Sequence, residues 1–141
     1  MSTTRDPLRV DHSYTVWMSA TRTGTIAVLA LRVAYGAALA IAPGRVTRRW
    51  LGQTADTAGG SVALRGLGAR DAALHVGALA AFLRGAPMRP WLGASIAGDV
   101  TDIVATAGAR KGLPEHAAPA TVAVAGASAL ISAALSALAD A

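Results

Sequence analysis

The chain is 141 residues long, 53% hydrophobic and 15% charged, with a mean hydropathy of +0.44, too apolar for an ordinary soluble domain. Its net charge of +5 would suit nucleic acid, but the basic residues are almost all arginines, scattered in ones, twos and threes at the ends of apolar runs. No Lys-rich arm or aromatic-interleaved stripe is present, so the composition argues against a nucleic-acid partner and for the arginine placement that membrane topology and snorkelling produce.

There are no cysteines, which excludes disulfides, thiolate chemistry and cysteine metal sites. Aromatics make up only 4%, leaving Ala, Leu, Val and Gly to build the interior. That composition suits helices that approach one another closely in lipid.

Residues 1–23 read as a polar N-terminal arm without the long apolar stretch and small-residue cleavage site of a signal peptide. Val16-Trp17-Met18 is the one part of the arm suited to an interface. Residues 24–141 read as an all-α membrane domain of four helices, at about 24–43, 62–83, 91–109 and 118–139. Each segment is near the ~20 residues that a helix needs to cross about 30 Å of hydrocarbon. Their length, Ala content and lack of period-two alternation argue against strands.

The first segment is closed by Pro43-Gly44 and the basic stretch Arg45 to Arg49, read as a turn, and residues 52–61, GQTADTAGGS, read as a flexible exposed loop. Trp50 and Trp91 fall at segment ends, where an indole suits the headgroup region. With the termini on one side, Arg45, Arg48, Arg49, Arg110 and Lys111 flank loops one and three, and Arg65 lies at the border. The termini and loop two carry Arg5, Arg9, Arg22, Arg84 and Arg89, so the two sides are nearly equal; only because Arg5 and Arg9 are far from a membrane end does the balance tip slightly to loops one and three as cytoplasmic.

Charges inside the apolar segments are the candidates for function. In S-I-A-G-D-V-T-D-I-V-A-T, residues 95–106, the side chains of Ser95, Asp99, Asp102 and Thr106 share a helical stripe about 60° wide. Val100, Ala105 and Ala107 lie opposite, for lipid or a neighbour. Arg32 sits near the middle of the first segment, with Thr25, Tyr35 and Gly36 on or beside its face. Arg70 sits in the second, with Gly66, Ala73 and Gly77 as a small-residue groove, and Asp71 beside it shares a face with His75.

An isolated charge at mid-bilayer costs from about 2.5 to more than 10 kcal/mol, so these groups require partners. The expectation is one buried cluster of Arg32, Arg70, Asp99 and Asp102, with Asp71 and His75 at its edge. It carries two positive and three negative groups, which nearly neutralise one another, and the extra carboxylate is the one expected to hold a proton, because desolvation and like charge both favour its neutral form. Such a cluster serves either as a packing key that sets helix order or as a functional polar pocket.

Other chemistry is weakly signalled. Asp71 and His75 could form half a metal site, but Arg70 repels cations and no second His lies on an apolar segment, so no metal and no cofactor is expected. Ser128, Ser132 and Ser136 repeat every four residues, a face for close packing; their segment offers no base to activate a serine. No catalytic residue can be named, and His12 and His116 read as surface residues.

Taken together, Arg32-x3-Gly36 leading to Ala42-Pro43, Arg49-Trp50-Leu51-Gly52, Arg65-Gly66-Leu67-Gly68-Ala69-Arg70-Asp71, Arg89-Pro90-Trp91-Leu92 and Asp99-x2-Asp102 resemble a family of small bacterial four-helix integral membrane proteins of unknown function. The resemblance spans residues 31–139 and leaves out the arm. It implies a multi-pass cell-membrane location and a fold, with no activity attached. The functional expectation is an interaction or accessory subunit, with the lipid bilayer and a second copy or another membrane protein as partners. The alternative is a transporter-like or enzyme-like protein that handles protons or an amphipathic small molecule at the cluster. A soluble Ala-rich bundle is the competing fold.

Overall fold

The computed structural model describes residues 12–138, and over that range the chain is α-helical apart from short links and two 3-10 turns. The helices are α1 (His12–Ile41), α2 (Pro43–Leu51), α3 (Ala58–Leu83), α4 (Arg89–Ala109) and α5 (Ala117–Leu138). The four apolar segments are the four long helices. Among the described residues two stretches are long and apolar enough to cross a membrane, Ser19–Ile41 within α1 and Ala117–Leu138.

Three expectations are corrected. α1 begins at His12, so half of the polar arm is continuous with the first apolar helix; no Pro or adequate stop separates them, and Gly24 is carried inside the helix. Residues 1–11 of the arm, with Arg5 and Arg9, and the side chains of Val16, Trp17 and Met18 lie outside the described residues. The basic stretch after Ile41 is the helix α2, because Pro43 occupies its first turn, where a fixed φ favours helix and no N–H is needed. Residues 52–61 are a 3-10 turn, Gly52–Asp56, followed by the start of α3, and Ala55 is buried among Leu39 and Leu64.

Local chemistry sets the other ends. The Thr57 hydroxyl accepts from the Gly60 N–H at 3.1 Å and caps α3. At its far end Gly85 has a φ of 66°, with Ala86 N–H donating to the Ala81 carbonyl at 2.8 Å and Gly85 N–H to Phe82 at 3.1 Å, the paired bonds of a Schellman stop. Arg65 donates to the Ala40 carbonyl at 3.0 Å, placing a cation at the C-terminal end of α1, where the helix dipole favours it.

Neighbours run α1, α3, α4, α5, with α2 crossing one end. Buried or half-buried positions on α1 follow a three-four repeat: Thr25, Leu29, Arg32, Gly36 and Leu39. α3 repeats it with Leu64, Gly68, Asp71, His75 and Ala78, and α4 with Leu92, Ser95, Asp99 and Asp102. This is the spacing of helices packed at shallow angles. α1 and α3 touch backbone to backbone. A Cβ on Gly36 would come within 2.6 Å of the Ala72 nitrogen, and one on Gly68 within 2.5 Å of the Ala40 nitrogen, so no other residue fits either position without separating the pair.

Two apolar clusters flank the centre. Leu29, Ala78, Ala81, Met88, Leu92 and Leu135 draw all four long helices together at one end. At the other, Leu39, Ala55 and Leu64, with Val46, Leu51 and Leu67, join α1, α2, the 3-10 turn after it and α3. α4 and α5 have no share in that second cluster, and a cavity opens there.

Candidate functional site: a polar layer beneath an apolar cleft

Between the two apolar clusters, positions near the middle of each long helix bring the charged residues to one level. Arg32 comes from α1, Asp71 and His75 from α3, Asp99 and Asp102 from α4, and Ser128 and Ser132 from α5. They occupy the inward three-four stripe, so helical periodicity that elsewhere buries Leu here buries charge.

Arg32 makes the seam between α1 and α5. Its Nη1 donates to the Ser132 hydroxyl at 2.6 Å, and its Nη2 to the Ser128 carbonyl at 3.2 Å and to the Ser128 hydroxyl. The Ser128 hydroxyl donates in turn to Asp99 Oδ2 at 2.7 Å, and the guanidinium lies 3.8 Å from that oxygen. The side chains of Arg32 and Asp99 are 13% and 7% exposed. Two ions so far from water are tolerable only because each finds several hydrogen-bond partners.

Arg70 forms the second group. Its Nη1 and Nη2 take both Asp102 oxygens, at 3.4 and 2.8 Å, and Nε and Nη2 reach Asp71 Oδ1 at 3.1 and 2.9 Å. The guanidinium crosses Gly98 of α4, where an added Cβ would come within 2.8 Å of its carbon. The groove that admits Arg70 is therefore on the partner helix. Gly66 faces open space and Gly77 seats the Trp91 ring, which corrects the expectation that Gly66 and Gly77 would surround Arg70.

His75 is buried. Its Nδ1–H donates to the Asp71 carbonyl at 2.7 Å, which leaves Nε2 to accept from the Ser95 hydroxyl at 3.4 Å. Asp71 meets His75 through its backbone, and its carboxylate turns to Arg70. Among the described residues no group of three or more His, Cys, Asp or Glu is placed to hold a metal ion.

The expected residues therefore form two ion groups at one level, Arg32 with Asp99 and Arg70 with Asp102 and Asp71. Asp71 is a direct partner and not only an edge residue. The serine row of α5, expected as a packing face, supplies the main partners of Arg32 through the hydroxyls of Ser128 and Ser132, while Ser136 donates to the Ser132 carbonyl, and the carboxylate their own segment lacks comes from α4. An i, i+4 hydroxyl repeat opposite a lone buried arginine is the signal that would have found them.

The cavity lies between this layer and α2 and has a volume of about 740 Å³. Its inner end is Arg32, Asp71, His75, Asp99, Asp102 and Ser128. Leu39, Leu64, Leu67, Val124 and Ala125 make apolar walls, and Trp50 and Leu51 of α2 close the outer end. Leu31 and Tyr35 of α1 and Val124 and Ile131 of α5 line it while remaining exposed, so its mouth is between α1 and α5. Ala105, expected on the opposite face from Asp99, lines it too. Apolar walls with a few convergent polar groups at one end are the usual make-up of a small-molecule site. Compared with protein-family models, curated proteins and solved structures, the chain matches none.

Proposed function

We propose that this chain is a multi-pass integral membrane protein whose four long helices cross the bilayer, and that it binds an amphipathic small molecule in the cleft between α1 and α5. The observation that carries the reading is the coincidence of an apolar cavity with a charged inner end and a mouth between the two most lipid-compatible helices. A helix at the core of a soluble protein is mostly covered. Only 22% of the apolar stretch of α1 and 17% of that of α5 is buried inside the chain.

α3 and α4 carry Arg70, Asp71, Asp99 and Asp102 within their apolar runs, and these find partners inside the bundle. Their outward faces bear Val62, Val76 and Leu83, and Val100 and Val104, all exposed, the complement expected of helices that meet lipid. The polar layer then lies near the bilayer midplane, where charged groups face the bundle interior and serve binding or relay. The motif resemblance to small bacterial four-helix membrane proteins supports the same location.

An accessory-subunit role is the second reading. It is favoured by exposed Ile41, Leu130 and Leu138 on α1 and α5 outside the cleft, a surface for a second copy or another membrane protein. Alkaline extraction of native membranes tests the location: the chain should stay in the pellet and enter detergent, and release by alkali would sink the membrane reading. Native mass spectrometry of the detergent-purified protein tests the role. A retained non-lipid molecule favours the cleft, and a stoichiometric protein partner with an empty cleft favours the subunit reading.

A further inference from the structure

The five charged groups of the polar layer do not balance. Arg32 and Arg70 face Asp71, Asp99 and Asp102. The imbalance is sharper at the cavity wall, where all three carboxylates and Arg32 line the space while Arg70 is not part of the lining. Arg70 draws on Asp71 and Asp102 from behind, through both oxygens of Asp102 and one of Asp71. His75 commits Nδ1–H to a carbonyl and offers Nε2 to Ser95, so its hydrogen bonding is complete as a neutral ring. The inner end of an apolar chamber therefore presents its occupant with one carboxylate more than the layer has guanidinium groups, in surroundings where uncompensated charge is costly.

We infer that the cleft takes a lipophilic organic cation, a monovalent ammonium- or phosphonium-like centre carried on a bulky apolar body, entering sideways between α1 and α5. This rests on the small-molecule reading of the cleft and adds the sign and shape of the occupant. Charge complementarity sets the sign: one positive centre brings three carboxylates and two guanidinium groups to neutrality. The chamber sets the bulk, since about 740 Å³ is within the range of pockets that enclose a whole organic ligand and far exceeds what a bare cation fills. Tyr35 lines the same space, and an aromatic ring is the natural second partner of a cation that cannot donate hydrogen bonds. The route follows from the exposed lining residues Leu31, Tyr35, Val124 and Ile131 on the two helices that flank the mouth.

Tetraphenylphosphonium and tetraphenylborate separate sign from shape, being bulky tetra-aryl ions of nearly the same size and opposite charge. Binding of each is measured by equilibrium dialysis against the purified full chain in nanodiscs of zwitterionic lipid, with protein-free nanodiscs for partition. The phosphonium ion should bind saturably at about one per chain, and the borate should not exceed its lipid partition. Asp99→Asn should weaken phosphonium binding at least tenfold. Asp71→Asn, which leaves the Asp102 to Arg70 pair in place, should weaken it several-fold and serves as the second variant if Asp99→Asn alters the fold by circular dichroism. Ala105→Trp should block binding by filling the wall. Saturable borate binding without phosphonium binding, or equal binding of both, overturns the cation assignment and leaves the cleft reading standing. Binding of neither overturns both. Phosphonium binding unchanged in both folded Asp variants overturns the assignment of the carboxylates.

Discussion

The guanidinium of Arg32 and the hydroxyl of Ser132 meet at 2.6 Å across a separation of one hundred residues, and with Ser128 this contact joins the first long helix to the last. Asp99 is tied to the same junction through Ser128. Removing Arg32 would leave Asp99 without its cation and strip two serines of their donor. Arg32→Ala should therefore destabilise the bundle by roughly 3 to 5 kcal/mol, read from denaturant unfolding in detergent. Arg32→Met with Asp99→Leu should recover much of that loss, since apolar replacement of a buried pair is often neutral or better. If Arg32→Ala cost below about 1 kcal/mol, the junction would be ornamental to the fold.

Arg70 grips Asp102 through two nitrogens and two oxygens, a fork that lysine cannot reproduce. Arg70→Lys should cost about 1 kcal/mol and Asp102→Asn a similar amount, modest because both side chains are partly exposed. A double-mutant cycle between the two positions should return a coupling energy. Strict additivity would show that the contact contributes nothing.

Glycines give an internal control on packing. Gly36→Ala and Gly68→Ala place a methyl against backbone and should each lower stability by roughly 1 to 3 kcal/mol. Gly66→Ala, on the same helix as Gly68 but with open space before it, should raise stability by up to about 1 kcal/mol through helix propensity. Thermal unfolding of the three variants orders them, and a destabilised Gly66→Ala with a neutral Gly68→Ala would contradict the α1 to α3 contact.

Topology is testable because the chain has no cysteine. Arg45, Arg48 and Arg49 on α2 and Arg110 and Lys111 beyond α4 lie at one end of the bundle, where His116 approaches the Arg49 carbonyl at 3.2 Å. If the four long helices cross the bilayer, that end, set against Arg84 and Arg89 at the other, is the one expected on the cytoplasmic side. A single cysteine at Gln53 should be labelled by an impermeant maleimide only after cells are opened, and one at Ala86 should be labelled in intact cells. Labelling of both from outside would refute four crossings.

The long helices were legible because length and Ala-rich apolarity act locally, and so were the buried charges, since lone ions in apolar runs must find partners wherever the chain folds. α2 was not, because Pro43-Gly44 followed by three arginines has the composition of a turn, although proline in a first turn starts a helix as readily as it stops one. The split of the cluster into an Arg32 group and an Arg70 group depends on which helices are neighbours, and helical phase alone leaves that open. The cleft was beyond reach for the same reason: it exists because α4 and α5 take no part in the apolar cluster beneath α2, a fact about the relative placement of helices.

On the far side of the polar layer the bundle is shut. Leu29, Ala78, Ala81, Met88, Leu92 and Leu135 fill the space between all four helices, and Leu29 and Leu92 are wholly covered. The cleft is therefore a cul-de-sac: whatever reaches Asp99 through the mouth between α1 and α5 leaves by the way it came. Conduction through the molecule would require this six-residue stopper to part, and water or an ion threading it would meet no polar side chain among those six.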